Sequence, residues 1–235
     1  MSVTAAVAAS LVLASCVAPP GPEPGMPAPE IPEDAVAYDE RKSTAERPFP
    51  FTGDCAQITS EVAQQAGMTG DMETPEESIR QGCVVRAGGD QPFGWLGVHE
   101  LIPRSDPDRD EDTPAFDSEW DGGSWTGGHF QRSILLDRYY AVTRVDNENG
   151  YVNCTVAVDT GSLPALEFVG YLEEEASRQK HDELFEDQFT SEPKDREALD
   201  AFAAEQCTVV SKAAEVLLDE AIDPEGGSLA TELAE

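Results

Sequence analysis

The sequence has few basic residues. Lysine and arginine together number 15, against 47 aspartates and glutamates, and the net charge is −32 at pH 7. Nucleic-acid binding requires a basic surface, so the composition argues against a nucleic-acid partner. An anionic lipid surface would also repel the chain, so attachment to a membrane requires a separate anchor.

A long apolar run is missing as well. The longest one, from Val3 to Ala14, is well short of the ~20 residues that span a bilayer. It is followed by Ser15 and Cys16, the pattern of a bacterial lipoprotein signal in which Cys16 receives the lipid and becomes the new N-terminus. Residues 1–15 contain no Lys or Arg, so we expect the true translation start to lie upstream. The sequence therefore predicts an extracytoplasmic protein that Cys16 anchors to the bacterial cell membrane.

Composition divides the chain after the predicted signal peptide, residues 1–15. Residues 16–50 are rich in proline and poor in large apolar side chains, which predicts a disordered tether that extends up to about 90 Å. Residues 51–222 are long enough for one folded domain, and residues 223–235 are predicted to be an acidic disordered tail.

Four cysteines remain after Cys16, and no two of them form a CxxC motif. A redox motif or a zinc ribbon is therefore not expected. An even number of cysteines outside the membrane predicts two disulfides, for which three pairings are possible. The four residues are Cys55, Cys83, Cys154 and Cys207.

The apolar pattern predicts helices at both ends of the domain and strands between them. Asp54 is a candidate cap for a helix from Cys55 to Ala66. Ser191 and Pro193 mark the start of a second helix that runs to about Ala221, with an apolar stripe at helical spacing from Leu199 to Leu217. Strands are predicted at residues 83–85, 95–101, 139–145, 151–159 and 163–171, and residues 103–130 as a long surface loop. The fold class is α+β, an antiparallel sheet with an N-terminal and a long C-terminal helix packed on one face.

The acidic stretch before Asp117 has the alternating carboxylates of a calcium loop. Its sixth position is Glu111, where an EF-hand needs glycine, so a solvated acidic loop is the simpler interpretation. The candidate metal ligands are Asp106, Asp108, Asp110, Asp112 and Asp117.

No catalytic constellation is evident. The segment 122–126, Gly-Gly-Ser-Trp-Thr, differs from a nucleophile elbow at its fifth residue. The candidate bases are His99, His129 and His181, and no spacing joins them to a nucleophile. Trp95, Trp120 and Trp125 could line a ligand groove, although packing is the commoner role of tryptophan. The sequence predicts neither a catalytic residue nor a cofactor.

The contexts of the four cysteines resemble an actinobacterial cell-envelope lipoprotein family known only as a domain of unknown function. The resemblance lies in Asp54-Cys55-Ala56-Gln57, Gly82-Cys83-Val84-Val85, the strand 154–158 and Glu205-Gln206-Cys207, and covers roughly residues 48–220. In that family a lipidation motif and a Pro/Gly/Ser-rich tether precede the same cysteines. The resemblance implies a location and an architecture but no activity.

We expect Cys55 to pair with Cys83, and Cys154 with Cys207. Each pair joins a predicted helix to a predicted strand, and Cys154 and Cys207 both belong to apolar stripes that face the core. Either bridge would then hold a helix on the sheet.

The leading functional hypothesis is a non-catalytic binding, scaffolding or sensing module whose partner is an envelope protein or a wall polymer. Two alternatives remain open. One is a hydrolase of envelope material that uses His129 with nearby carboxylates. The other is a calcium-responsive module built on residues 106–117.

Overall fold

The computed structural model describes residues 36–41, 47–74, 82–88, 91–102, 113–122, 128–148, 150–187 and 192–227. Seven antiparallel strands form one sheet in the order β1-β2-β3-β7-β6-β5-β4. The strands are β1 (Met72–Glu73), β2 (Gly82–Arg86), β3 (Trp95–Leu101), β4 (Phe130–Leu135), β5 (Tyr139–Glu148), β6 (Tyr151–Val158) and β7 (Ala165–Tyr171).

Four α-helices accompany the sheet in the described residues: α1 (Ser60–Gln65), α2 (Ala115–Trp120), α3 (Glu174–Leu184) and α4 (Arg196–Leu217). Helix α4 continues as a π-helix over Leu218–Ile222. The α+β class with an antiparallel sheet is confirmed. Among the described residues, no helix has the length and apolar character to cross a membrane.

The first face of the sheet carries the main core and both disulfides. Side chains alternate along β6, so Val152, Cys154 and Val156 lie on this face under α4. The predicted pairing is confirmed: Cys55 bonds to Cys83 with a Cα–Cα distance of 4.9 Å, and Cys154 bonds to Cys207 at 5.4 Å. The second disulfide ties the middle of α4 to the sheet.

The helix predicted from Cys55 to Ala66 is interrupted. Residues Cys55–Gln57 form one 3-10 turn that the Asp54 side chain caps at Ala56, and Ile58 then adopts an extended backbone. Thr59 caps the second helix, α1, by accepting a hydrogen bond from the Val62 amide. Two consecutive caps explain the break, because each begins a new helical segment.

The C-terminal helix begins later than predicted. The side chain of Asp195 accepts hydrogen bonds from the amides of Glu197 and Ala198, which fixes the first turn of α4 at Arg196. Pro193 lies before the helix, where it pairs with Phe185 as an isolated β-bridge.

The N-terminal and the C-terminal helix both pack on the first face, as predicted, and the second face of the sheet is covered as well. Helix α2 contributes Phe116 and Trp120 to a second core with Tyr140 on β5. The predicted loop 103–130 therefore contains a helix, and β4 starts at its last residue. Phe116 and Trp120 are four residues apart, but a single apolar pair in a six-residue segment is too short a pattern to predict a helix.

Part of the predicted tether belongs to the folded domain. The ring of Tyr38 stacks on Trp120 with centroids 4.3 Å apart, and the Tyr140 hydroxyl donates to the Val36 carbonyl. Arg41 forms ion pairs with Asp117 and with the buried Asp159. We call residues 36–41 the N-terminal strap. Its contacts place the start of the ordered structure before residue 51.

Candidate functional site

One transverse row of side chains marks the end of the sheet that is farthest from the strap. Antiparallel register aligns Arg86 with Trp95, Trp95 with Tyr171, Tyr171 with Asn153, and Asn153 with Asp146. All five residues lie on the second face because neighbouring strands in register point their paired side chains to the same side. The tertiary fold thus brings residues from five strands into one row.

An open groove of about 570 Å³ lies at this end of the sheet, beside the first turn of α3. We call it the sheet-end groove. Its walls are three aromatic rings, three carboxylates, one amide, one apolar side chain and one hydroxyl, contributed by Trp95, Tyr151, Tyr171, Glu148, Glu173, Glu174, Asn153, Leu172 and Ser177.

Two of the three rings already carry a cation of this chain. The Arg86 guanidinium lies 4.3 Å from the centroid of the Trp95 ring, and the Arg178 guanidinium lies 5.3 Å from that of Tyr151. Arg178 also donates to the Tyr151 hydroxyl at 2.8 Å. The electron-rich ring faces at this groove therefore suit positive charge.

The carboxylates of the groove come from two elements. Glu148 ends β5, while Glu173 is the N-cap residue of α3 and Glu174 begins the helix. The Glu173 side chain makes no capping hydrogen bond, and it lies over Gly94, where an added Cβ would be 2.6 Å from its Oε1 atom. Gly94 thus provides the space for this carboxylate.

A buried ionic network lies next to the groove, on the same face of the sheet. Each nitrogen of the Arg144 guanidinium pairs with a different carboxylate: Nε with Asp146 at 2.8 Å, Nη2 with Glu167 at 2.8 Å, and Nη1 with Glu119. We call these four residues the Arg144 network. Glu119 belongs to α2, so the network fixes that helix to strands β5 and β7.

The network perturbs the acidity of its members. Burial lowers the pKa of Arg144, but Asp146, Glu119 and Glu167 outweigh it and raise that pKa above its usual value. Burial also raises the pKa of the Asp146 carboxyl, although Arg144 and the Thr155 hydroxyl partly oppose this effect. The folded protein therefore binds a proton at Asp146 more readily than an exposed aspartate would.

His99 connects the network with the groove. It is the register partner of Glu167, and its Nε2 atom lies 3.4 Å from the Tyr171 hydroxyl. The imidazole lies flat on the sheet between Gly82 and Gly97, where an added Cβ would come within 2.4 Å and 2.3 Å of the ring nitrogens. Two glycines on adjacent strands thus make room for one buried histidine.

A second groove, of about 360 Å³, lies on the first face between β4 and α4. His129 and Asp200 meet at its rim, with the imidazole Nδ1 atom 2.9 Å from the carboxylate Oδ1 atom. Ser133, Ser211 and other hydroxyl side chains also line this groove. Among the described residues, none of these hydroxyls forms a hydrogen bond with His129.

The other predicted residues have different positions. Cys16, Asp106, Asp108, Asp110, Asp112, Ser124 and Trp125 lie outside the described residues. Asp117 pairs with Arg41 and accepts a hydrogen bond from the Tyr38 hydroxyl. Within the described ranges, no group of three potential metal ligands is placed to hold a metal ion.

Trp95 and His99 were separate candidates from the sequence alone, whereas Arg144, Glu119 and Glu167 were not predicted. Two signals were available in the sequence: an arginine inside strand 139–148 and a glutamate inside strand 165–171. Charged residues on a buried sheet face need partners, so both positions indicated a buried ionic contact.

No protein-family model matches the chain, and no curated protein or solved structure matches it either.

Proposed function

We propose that this chain is a lipid-anchored extracytoplasmic protein of the bacterial envelope and that its domain is a non-catalytic binding module. The apolar run that ends at Cys16 supports the anchor, and the cysteine contexts support a place among the envelope lipoproteins that the sequence resembles. The sheet-end groove carries the binding hypothesis, because rings and hydrogen-bonding groups line an accessible depression.

The position of the groove relative to the tether favours this function. Tyr140 holds Val36 of the N-terminal strap, whereas Asp146, six residues further along β5, lies beside Asn153 of the groove. Six residues of strand measure about 20 Å. A tether that enters at the strap would therefore leave the sheet-end groove on the side of the domain that faces away from the lipid anchor.

Two measurements test the proposal. Replacing Cys16 by Ser should move the protein from the membrane fraction to the soluble fraction, because lipidation requires the thiol. Continued sedimentation of the C16S protein with membranes would contradict the anchor.

Binding is measured by co-sedimentation of the purified protein with insoluble envelope material. Trp95→Leu should reduce the bound fraction, since it removes one wall of the groove, and Ile102→Ala on the exposed surface is the matched control. An equal bound fraction for all three proteins would refute a role for the groove.

The second candidate function is hydrolysis of envelope material at the His129–Asp200 pair. Asp200 holds the Nδ1 atom of His129, an arrangement that orients the opposite ring nitrogen as a general base. The test is turnover of wall polymers and of simple esters by the wild type and by His129→Gln. Turnover that disappears in H129Q favours this candidate, and equal turnover in both proteins excludes it.

A further inference from the structure

We propose that the sheet-end groove binds organic cations, and that its ligand is the lysine side chains of a basic peptide. This inference rests on the proposed binding function and names the class of ligand. It commits to ammonium groups presented by a protein segment, as opposed to a metal ion or a neutral sugar.

The aromatic walls of the groove suit an ammonium group. Trp95, Tyr171 and Tyr151 come from three different strands, and their rings border one depression. A ring face attracts an ammonium or guanidinium group within about 6 Å of its centroid. Arg86 and Arg178 of the chain itself already occupy such positions over Trp95 and Tyr151. The geometry for cation binding is therefore present on these rings.

The carboxylates of the groove supply negative charge for a cationic ligand. Glu148, Glu173 and Glu174 line the groove, and Arg178 pairs with Glu174 at 2.9 Å. In the described part of the chain, Glu148 accepts a hydrogen bond only from the Asn153 amide, at 3.5 Å, and Glu173 makes no capping bond. Two carboxylates thus face the groove without a cationic partner among the described residues. A cationic ligand would supply that charge, and the net charge of −32 would attract it over longer distances.

The N-terminus of α3 borders the groove beside two of these carboxylates. Glu173 and Glu174 stand at the N-terminus of an 11-residue helix. The positive end of the helix dipole stabilises negative charge within the first turn.

A divalent metal ion fits the same residues poorly. Calcium requires six to eight oxygen ligands at about 2.3–2.6 Å. The described residues contain no group of three potential ligands close enough for a metal. Three aromatic rings line the groove together with the carboxylates, and rings suit an organic cation better than a strongly hydrated ion.

Calorimetric titration of tetralysine amide into the full-length protein tests the inference. The protein carries Cys16→Ser so that no lipid is attached, and both disulfides are kept oxidised. The key variant is Glu148→Gln with Glu173→Gln, which removes the two carboxylates but keeps the rings. We expect its affinity for tetralysine to fall about tenfold, because two partly exposed ion pairs with the ligand are lost and each contributes a factor of about three.

A matched control separates the groove from the general acidity of the chain. Glu61→Gln with Glu205→Gln removes two exposed carboxylates from α1 and α4, so the net charge changes equally. This protein should bind tetralysine with less than about a twofold change. Equal losses in both double variants, or no binding by the C16S protein, would overturn the inference.

Two further ligands complete the design. Tetralysine acetylated on every side chain keeps the peptide but loses the charge, and it should not bind; equal binding of both peptides would refute the cation hypothesis. A neutral oligosaccharide of N-acetylglucosamine is the second ligand. If it binds in a way that Trp95→Leu abolishes while tetralysine does not bind, the lysine inference fails and the proposed binding module stands.

Discussion

Removal of Arg144 is the most informative test of the architecture around the groove. The side chain of Arg144 is 11% exposed, and those of Glu119 and Glu167 are 4% and 2% exposed. An Arg144→Met protein would keep most of the volume but leave two buried carboxylates without this guanidinium. Loss of one partner from a buried ion pair costs about 3–5 kcal/mol, which is a large part of the stability of a typical domain.

The geometry makes a more specific prediction for Arg144→Lys. The three nitrogens of the guanidinium each serve a different carboxylate, two of them at 2.8 Å. An ammonium on a flexible stem is a point charge and cannot reproduce this planar three-way arrangement. We therefore expect R144K to lose about half as much stability as R144M, of the order of 2 kcal/mol.

Urea unfolding monitored by tryptophan fluorescence measures both free energies. Arg144→Met combined with Glu119→Gln and Glu167→Gln is the control, because it also removes the two buried charges. It should recover a substantial part of the loss, since amides cost less to bury than carboxylates that have lost their guanidinium partner. A loss below about 1 kcal/mol in R144M would refute the interpretation that the network is desolvated and supports the fold.

Three further predictions concern acidity, the disulfide and calcium. Because burial raises the pKa of Asp146 in the folded state, the unfolding free energy should fall as pH rises above the ordinary aspartate value of about 3.9. Asp146→Asn should reduce that fall in urea titrations across pH 4–7, and an unchanged slope would contradict the prediction. Replacing Cys154 and Cys207 together by Ala opens a bridge with a sequence separation of 53 and should cost about 4 kcal/mol by the same urea assay. Calorimetry with calcium should show only weak binding, and a tight site abolished by Asp108→Ala would establish the calcium-responsive alternative.

Local chemistry explains why much of the fold could be predicted. Residues 151–158 alternate between apolar and polar side chains, and β3 has the predicted bounds, Trp95 to Leu101. The long apolar stripe on α4 has a period that only a helix satisfies. Helix α2 and the N-terminal strap escaped prediction, because Phe116, Trp120 and Tyr38 become a core only when they meet Tyr140.

The candidate site, like the fold, could be predicted from the sequence only in part. Trp95 and His99 were recognisable as residues of interest, but nothing in the sequence placed Trp95 beside Tyr171 and Asn153. That row depends on the register of β3, β7 and β6, and register is set by the hydrophobic faces of the whole sheet. The chain order gives no direct indication of it.

The amino-acid sequence by itself determined the composition-dependent properties: the acidity, the candidate lipid anchor at Cys16, the α+β class and the cysteine pairing. These follow from residue type and short-range periodicity, which are local along the chain. Only the tertiary structure decided which charges share the buried network around Arg144 and which rings line the sheet-end groove. Contacts between strands far apart in sequence form through collective burial of both sheet faces, so no single segment encodes them.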